Sequence, residues 1–90
     1  MATVIIVIKL MPSSPSVDLS NIKKEALSLI QNEGAKNISF EERPIAFGLK
    51  ALILKMDMPE EKGTDKVESL LTNISNVSSV TIEEYRRAFG

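Results

Sequence analysis

Nearly every position from Thr3 to Met11 is apolar, and the run is dense in β-branched side chains. That density predicts a strand central in its sheet, with both faces largely covered. Pro12-Ser13-Ser14-Pro15-Ser16 ends it with loop chemistry; the segment lacks the glycines and lysine of a phosphate cradle and reads as a connector. From Asp18 to Glu33 the period changes to 3.6, with Leu19, Ile22, Ala26, Leu29 and Ile30 on one stripe, so an amphipathic helix is expected. Asp18 or Ser16 can cap its start, and Gly34 stands where a left-handed terminating residue is wanted.

Alternation of Ile38 and Phe40 with Asn37, Ser39 and Glu41 predicts a second strand from Asn37 to about Arg43. A third, strongly apolar strand follows from Leu49 to Met58. Between them Pro44 and Gly48 bracket Phe47, which predicts a tight exposed turn closing an antiparallel hairpin. Pro59-Glu60-Glu61-Lys62-Gly63 reads as a charged, solvated loop. A second helix begins at Thr64 or Asp65, where Asp65-Lys66-Val67-Glu68 has the form of a capping box. Val67, Leu70, Leu71 and Ile74 supply its buried stripe, and Asn76 is its expected left-handed terminator. Val80 and Ile82 then alternate with Thr81 and Glu83 in a last strand from Ser79 to about Arg87.

The order β-α-β-β-α-β, joined by right-handed crossovers, gives an α+β ferredoxin-like sandwich: a four-stranded antiparallel sheet with two helices on one face. Its uncovered face is a natural interaction surface. Ninety residues suit a single domain spanning 1–90, with one modest core. The opening apolar run is too short to cross a bilayer, Lys9 ends it, and no signal-peptide pattern surrounds it. A soluble cytoplasmic protein with no membrane partner is therefore expected.

Composition narrows the chemistry further. The chain contains no cysteine and no histidine, so disulfides, thiolate metal sites and the commonest general base are absent. Glu41-Glu42 and Glu83-Glu84 resemble carboxylate dyads, but neighbours on a strand point to opposite faces and are not expected to converge. With 11 basic and 12 acidic residues the net charge is −1, too little to hold nucleic acid by charge alone. The expected central strands also lack the stacking aromatics of an RNA-recognition sheet. A protein-binding domain remains, or alternatively a regulatory small-molecule-binding module. Two features single themselves out: Phe47, either a lid folded on the core or an anchor for a partner, and Arg86-Arg87 near the end of the chain, which otherwise merely offset Glu83 and Glu84.

The stretch Pro44-Ile45-Ala46-Phe47-Gly48-Leu49-Lys50-Ala51-Leu52 resembles the signature of the elongation factor 1-beta family. That signature runs proline, isoleucine or valine, a small residue, an aromatic, glycine, isoleucine or leucine, lysine, any residue, leucine. Gly63-Thr64-Asp65 resembles the segment that opens the family's second helix. The similarity continues through Val77-Ser78-Ser79-Val80-Thr81-Ile82 to the basic C-terminus, at the length of the archaeal form. It implies a guanine nucleotide exchange factor for elongation factor 1-alpha, acting without covalent chemistry or a cofactor.

By position, the resemblance makes Phe47 the aromatic that packs against the GTPase's nucleotide domain. Ala46, Gly48, Lys50 and Tyr85 would complete the partner-binding surface. Arg87 matches the family's penultimate lysine, the cation that enters the Mg²⁺ and phosphate region. The chain departs from the eukaryotic pattern in having arginine there, in the Ala88-Phe89-Gly90 extension beyond it, and in the tandem Arg86-Arg87, which leaves open which arginine makes the contact.

Overall fold

The computed structural model describes residues 2–88. Its elements are β1 (Thr3–Pro12), α1 (Leu19–Asn32), β2 (Lys36–Pro44), β3 (Lys50–Pro59), α2 (Thr64–Thr72) and β4 (Val77–Ala88), with a 3-10 turn at Glu60–Lys62. The four strands form one antiparallel sheet in the order β2-β3-β1-β4, as the ferredoxin-like reading requires.

Alternation that the composition of β1 conceals becomes plain once its neighbours are in place. Val4, Ile6, Ile8 and Leu10 are buried, and so are Leu52, Leu54, Met56 and Met58 opposite them on β3. These side chains share one face and pack with Ile22, Ala26 and Ile30 of α1 and Val67 and Leu71 of α2. The intervening residues Ile5, Val7, Lys9 and Met11 are only half-buried. No helix lies on this second face, and apolar residues are tolerated there because the strand is central, flanked by β3 and β4.

Local chemistry sets the helix ends. Asp18 caps α1, its carboxylate accepting the Ser20 N–H at 2.9 Å. At the other end Gly34, at φ 91, donates to the Gln31 carbonyl while Ala35 donates to that of Ile30. This reciprocal pair satisfies two carbonyls that the helix leaves open and turns the chain into β2. The capping box expected at Asp65 does not form. The residue before α2 is Gly63, at φ 73 with no side-chain cap, so Asp65 lies inside the first turn and favours the helix through its dipole. Asn76 is left-handed, at φ 70, but α2 has already ended at Thr72; Asn76 instead turns the chain into β4.

Pairing of β1 with β4 contains a second surprise. Val7 faces Glu84 and Ile8 faces Ile82, so Glu83 is an extra residue in a β-bulge. Strict alternation therefore fails at this point on β4. A one-sided core predicts unequal costs at adjacent positions of β1. Ile8→Ala should lower the unfolding free energy by about 2–5 kcal/mol and Val7→Ala by about 1 kcal/mol, measured by urea denaturation. Equal losses would contradict the assignment of faces.

Candidate functional site

The hairpin between β2 and β3 closes through two hydrogen bonds. Leu49 N–H donates to the Ala46 carbonyl and Ile45 N–H to the Leu49 carbonyl, both at 2.9 Å. The two residues between Ala46 and Leu49 both have positive φ, 53 for Phe47 and 78 for Gly48. That is the signature of a type I′ turn, whose twist matches the strands it joins. Such turns favour asparagine followed by glycine, because a side chain at positive φ crowds its own backbone. Phenylalanine is a poor choice on local grounds. It is also 97% exposed, so no packing compensates for the conformation. Phe47 is no lid on the core. Ile45 beside it is likewise exposed, giving the tip an apolar character that extends past the one aromatic. The Pro-Ile pair within the motif itself was the signal for this second residue.

Ala46, Gly48 and Lys50 surround Phe47 at the same tip, and Lys50 lies 3.9 Å from Glu42 in a loose exposed pair. A shallow groove open to solvent, lined among others by Pro15, Asp18, Glu42, Gly48 and Lys50, separates the hairpin from the start of α1. The remaining candidates are elsewhere. Thr3 pairs with both Pro59 and Ala88, so the ends of β3 and β4 share the opposite edge of the sheet from the hairpin. The ten residues of β3 between the two edges span about 30 Å at the rise of an extended strand. Phe47 and the basic C-terminus therefore form two separate points and not one site.

The register also gives the direction of each arginine. Arg86 is opposite Ile5 and lies on the open face, where its Nε is 3.1 Å from Glu84 Oε2. Arg87 is opposite Val4, on the helix side, and its Nη2 donates to Glu60 Oε1 of the 3-10 turn. Tyr85, opposite Ile6, shares the helix side with Arg87 and is about half exposed. Phe89 and Gly90 of the C-terminal extension lie outside the described residues. Arg87 and Glu60 are both partly solvated, and such exposed pairs contribute at most about 1 kcal/mol, so another anion can displace Glu60 at small cost.

The bulge overturns the expectation that Glu83 and Glu84 face opposite ways. Glu84 is on the open face by its register with Val7, and Glu83 reaches Arg43, which shares that face with Ala51. Bulged geometry turns both carboxylates to one side, whereas Glu41 and Glu42, opposite Ile53 and Leu52, keep to opposite faces. Each member of the Glu83-Glu84 pair is engaged by an arginine.

Fold and turn together define a ferredoxin-like module with an exposed apolar turn at one end of its sheet. The chain belongs to the EF-1 guanine nucleotide exchange domain family, whose model matches residues 5–88. Among its relatives is elongation factor 1-beta of Saccharolobus solfataricus, 43% identical over 84 residues that cover 91% of each chain. The protein of that name from Methanothermobacter thermautotrophicus is 41% identical over 88 residues, 97% of this chain and 98% of its own. That from Methanococcus maripaludis strain C7 is 38% identical over 85 residues, 93% and 96% of the two chains. A role in nucleotide exchange during translation elongation follows from this membership. Among the described residues no helix is long and apolar enough to cross a membrane.

Backbone strain at Phe47 yields a stability prediction independent of any partner. Phe47→Asn should raise the unfolding free energy by about 0.5–1 kcal/mol, because asparagine tolerates positive φ and no contact is lost. Urea denaturation checks it. A loss of stability would show that the exposed ring supports the fold.

Proposed function

We propose that this chain accelerates GDP release from elongation factor 1-alpha by engaging it at both edges of the sheet. The observation that carries the reading is Phe47: an almost fully exposed aromatic held at positive φ in a chain of the guanine nucleotide exchange domain family. A residue unfavourable for its own turn and useless to the core needs another reason to be there, and an apolar pocket on a partner supplies one.

Exchange needs no bond made or broken by this chain. The factor binds the GTPase better when nucleotide and Mg²⁺ are loosely held, and by linkage the nucleotide weakens factor binding in the same ratio. A thousandfold ratio corresponds to ~4 kcal/mol of differential binding. The two edges divide the task. Phe47, with Ile45, Ala46, Gly48 and Lys50 around it, supplies affinity through apolar burial. Arg87, assisted by Tyr85 on the same side, supplies a cation for the region of the phosphates and metal, where it competes with Mg²⁺ for its ligands. Arg86 projects to the other face, so the two arginines do not serve the same point, and the match by position favours Arg87 as the intruding group. The span of about 30 Å between the edges means that the two contacts fall on well-separated parts of the GTPase, so both cannot lie in the immediate surroundings of one nucleotide pocket.

Release of a fluorescent GDP analogue from elongation factor 1-alpha tests the reading; no acceleration at micromolar protein would end it. Arg87→Ala should lower the saturating release rate at least tenfold with a modest change in half-saturating concentration. Phe47→Ala should raise the half-saturating concentration at least tenfold, since one buried aromatic anchor is worth roughly 2 kcal/mol or more. Normal exchange by Arg87→Ala would move the role to Arg86 or remove it from the basic pair.

A further inference from the structure

Strand order places β2 and β4 at opposite borders of the sheet, with β3 and β1 between them. One contact nevertheless joins those borders directly. Arg43 Nη1, on β2, lies 3.2 Å from both carboxylate oxygens of Glu83, on β4. To meet, the two side chains must run obliquely over β3 and β1 on the face without helices. Ala51 and Ile53 lie on that face, one opposite Arg43 and the other a step further along β3, and they are 0% and 6% exposed. They belong to no part of the helix-side core. Their neighbours across β1, Lys9 and Met11, stay half-exposed. Burial on an otherwise open face thus coincides with the path of the ion pair.

The bulge lies at the β4 end of this contact. Strict alternation from Ile82, which faces the helices, would put Glu83 on the open face and Glu84 back on the helix side; with Glu83 as an extra residue, Glu84 lies on the open face instead. The bulge brings a second carboxylate to the open face and twists β4 locally. At the other end Arg43 immediately precedes Pro44, at the base of the hairpin that carries Phe47. β2 has only one strand neighbour, β3, so its outer side has no backbone partner in the sheet.

We infer that Arg43 and Glu83 are positioning residues: their ion pair braces the edge hairpin against β4 and thereby fixes where Phe47 stands relative to Arg86 and Arg87. The inference rests on the exchange reading above for its functional consequence, but the brace itself is a property of the free protein. A partner that must be met at two points separated by the length of the sheet is bound more tightly when those points are held in register beforehand.

Two measurements test it. In the free protein, Arg43→Gln should speed amide-hydrogen exchange at Ile45 and Leu49, the closing donors of the turn, about three- to tenfold, while amides of β1 are unchanged. Unaltered protection at Ile45 and Leu49 would overturn the brace. In GDP release from elongation factor 1-alpha, Arg43→Gln and Glu83→Gln should each raise the half-saturating concentration three- to tenfold without changing the saturating rate. The double variant should be no worse than either single one, and the reversed pair R43E/E83R should recover most of the loss. Adding Arg43→Gln to Phe47→Ala should have no further effect, which a general loss of stability could not imitate. Additive losses, or an undiminished Arg43→Gln effect in the Phe47→Ala background, would overturn the positioning role. Failure of the unaltered protein to accelerate release would remove the exchange reading and leave the amide-exchange result to decide the brace alone.

Discussion

Burial of alternate side chains on the two central strands is the constraint from which the rest of the molecule follows. Val4, Ile6, Ile8 and Leu10 on β1, with Leu52, Leu54, Met56 and Met58 on β3, must share one face, and the two helices exist to cover it. Water is removed chiefly from that side, so the other face keeps its charged groups, and these pair across the surface as Arg43 with Glu83 and Arg86 with Glu84. A sheet committed in this way has its helix face occupied and its open face bridged. Its strand ends are left free, and the exposed apolar tip and the arginine-bearing terminus are found there.

Much of this organisation was legible in the chain. The change of period from 2 to 3.6 marked each helix, and Pro44, Gly48 and the apolar run after them located the hairpin within a residue or two. Phe47 was legible as a turn residue, but the residues alone left a lid on the core and an exposed tip both open; the φ of 53 and the near-complete exposure are consequences of the closed turn. Asp65 misled for the opposite reason. A capping-box pattern promises a side-chain bond, yet the cap is Gly63 at positive φ, two residues before Asp65. The bulge at Glu83 had no signature in β4 itself, since it depends on how β4 registers against β1.

Long-range pairing accounts for the rest. Glu83 finds Arg43 forty residues away and Arg87 finds Glu60 twenty-seven away, distances at which spacing carries no information. The same geometry separates what the signature appeared to join. Phe47 and Arg87 lie at opposite ends of the sheet's strands, and under the proposed function the sheet is a spacer with a contact at each end, whose rigidity serves binding. Arginine at position 87 also fits this arrangement: a guanidinium can give one nitrogen to Glu60 and keep other donors available, which an ammonium does less well.

The central claim, that both edges of one molecule act on one GTPase, is tested most directly by mixing. GDP release from elongation factor 1-alpha should be followed with Phe47→Ala alone, Arg87→Ala alone, and the two together at equal concentration. If each docking event needs both edges of the same sheet, the mixture should release GDP no faster than the sum of its components. Restoration of the unaltered protein's rate by the mixture would contradict the account, since it would mean that the two edges act independently.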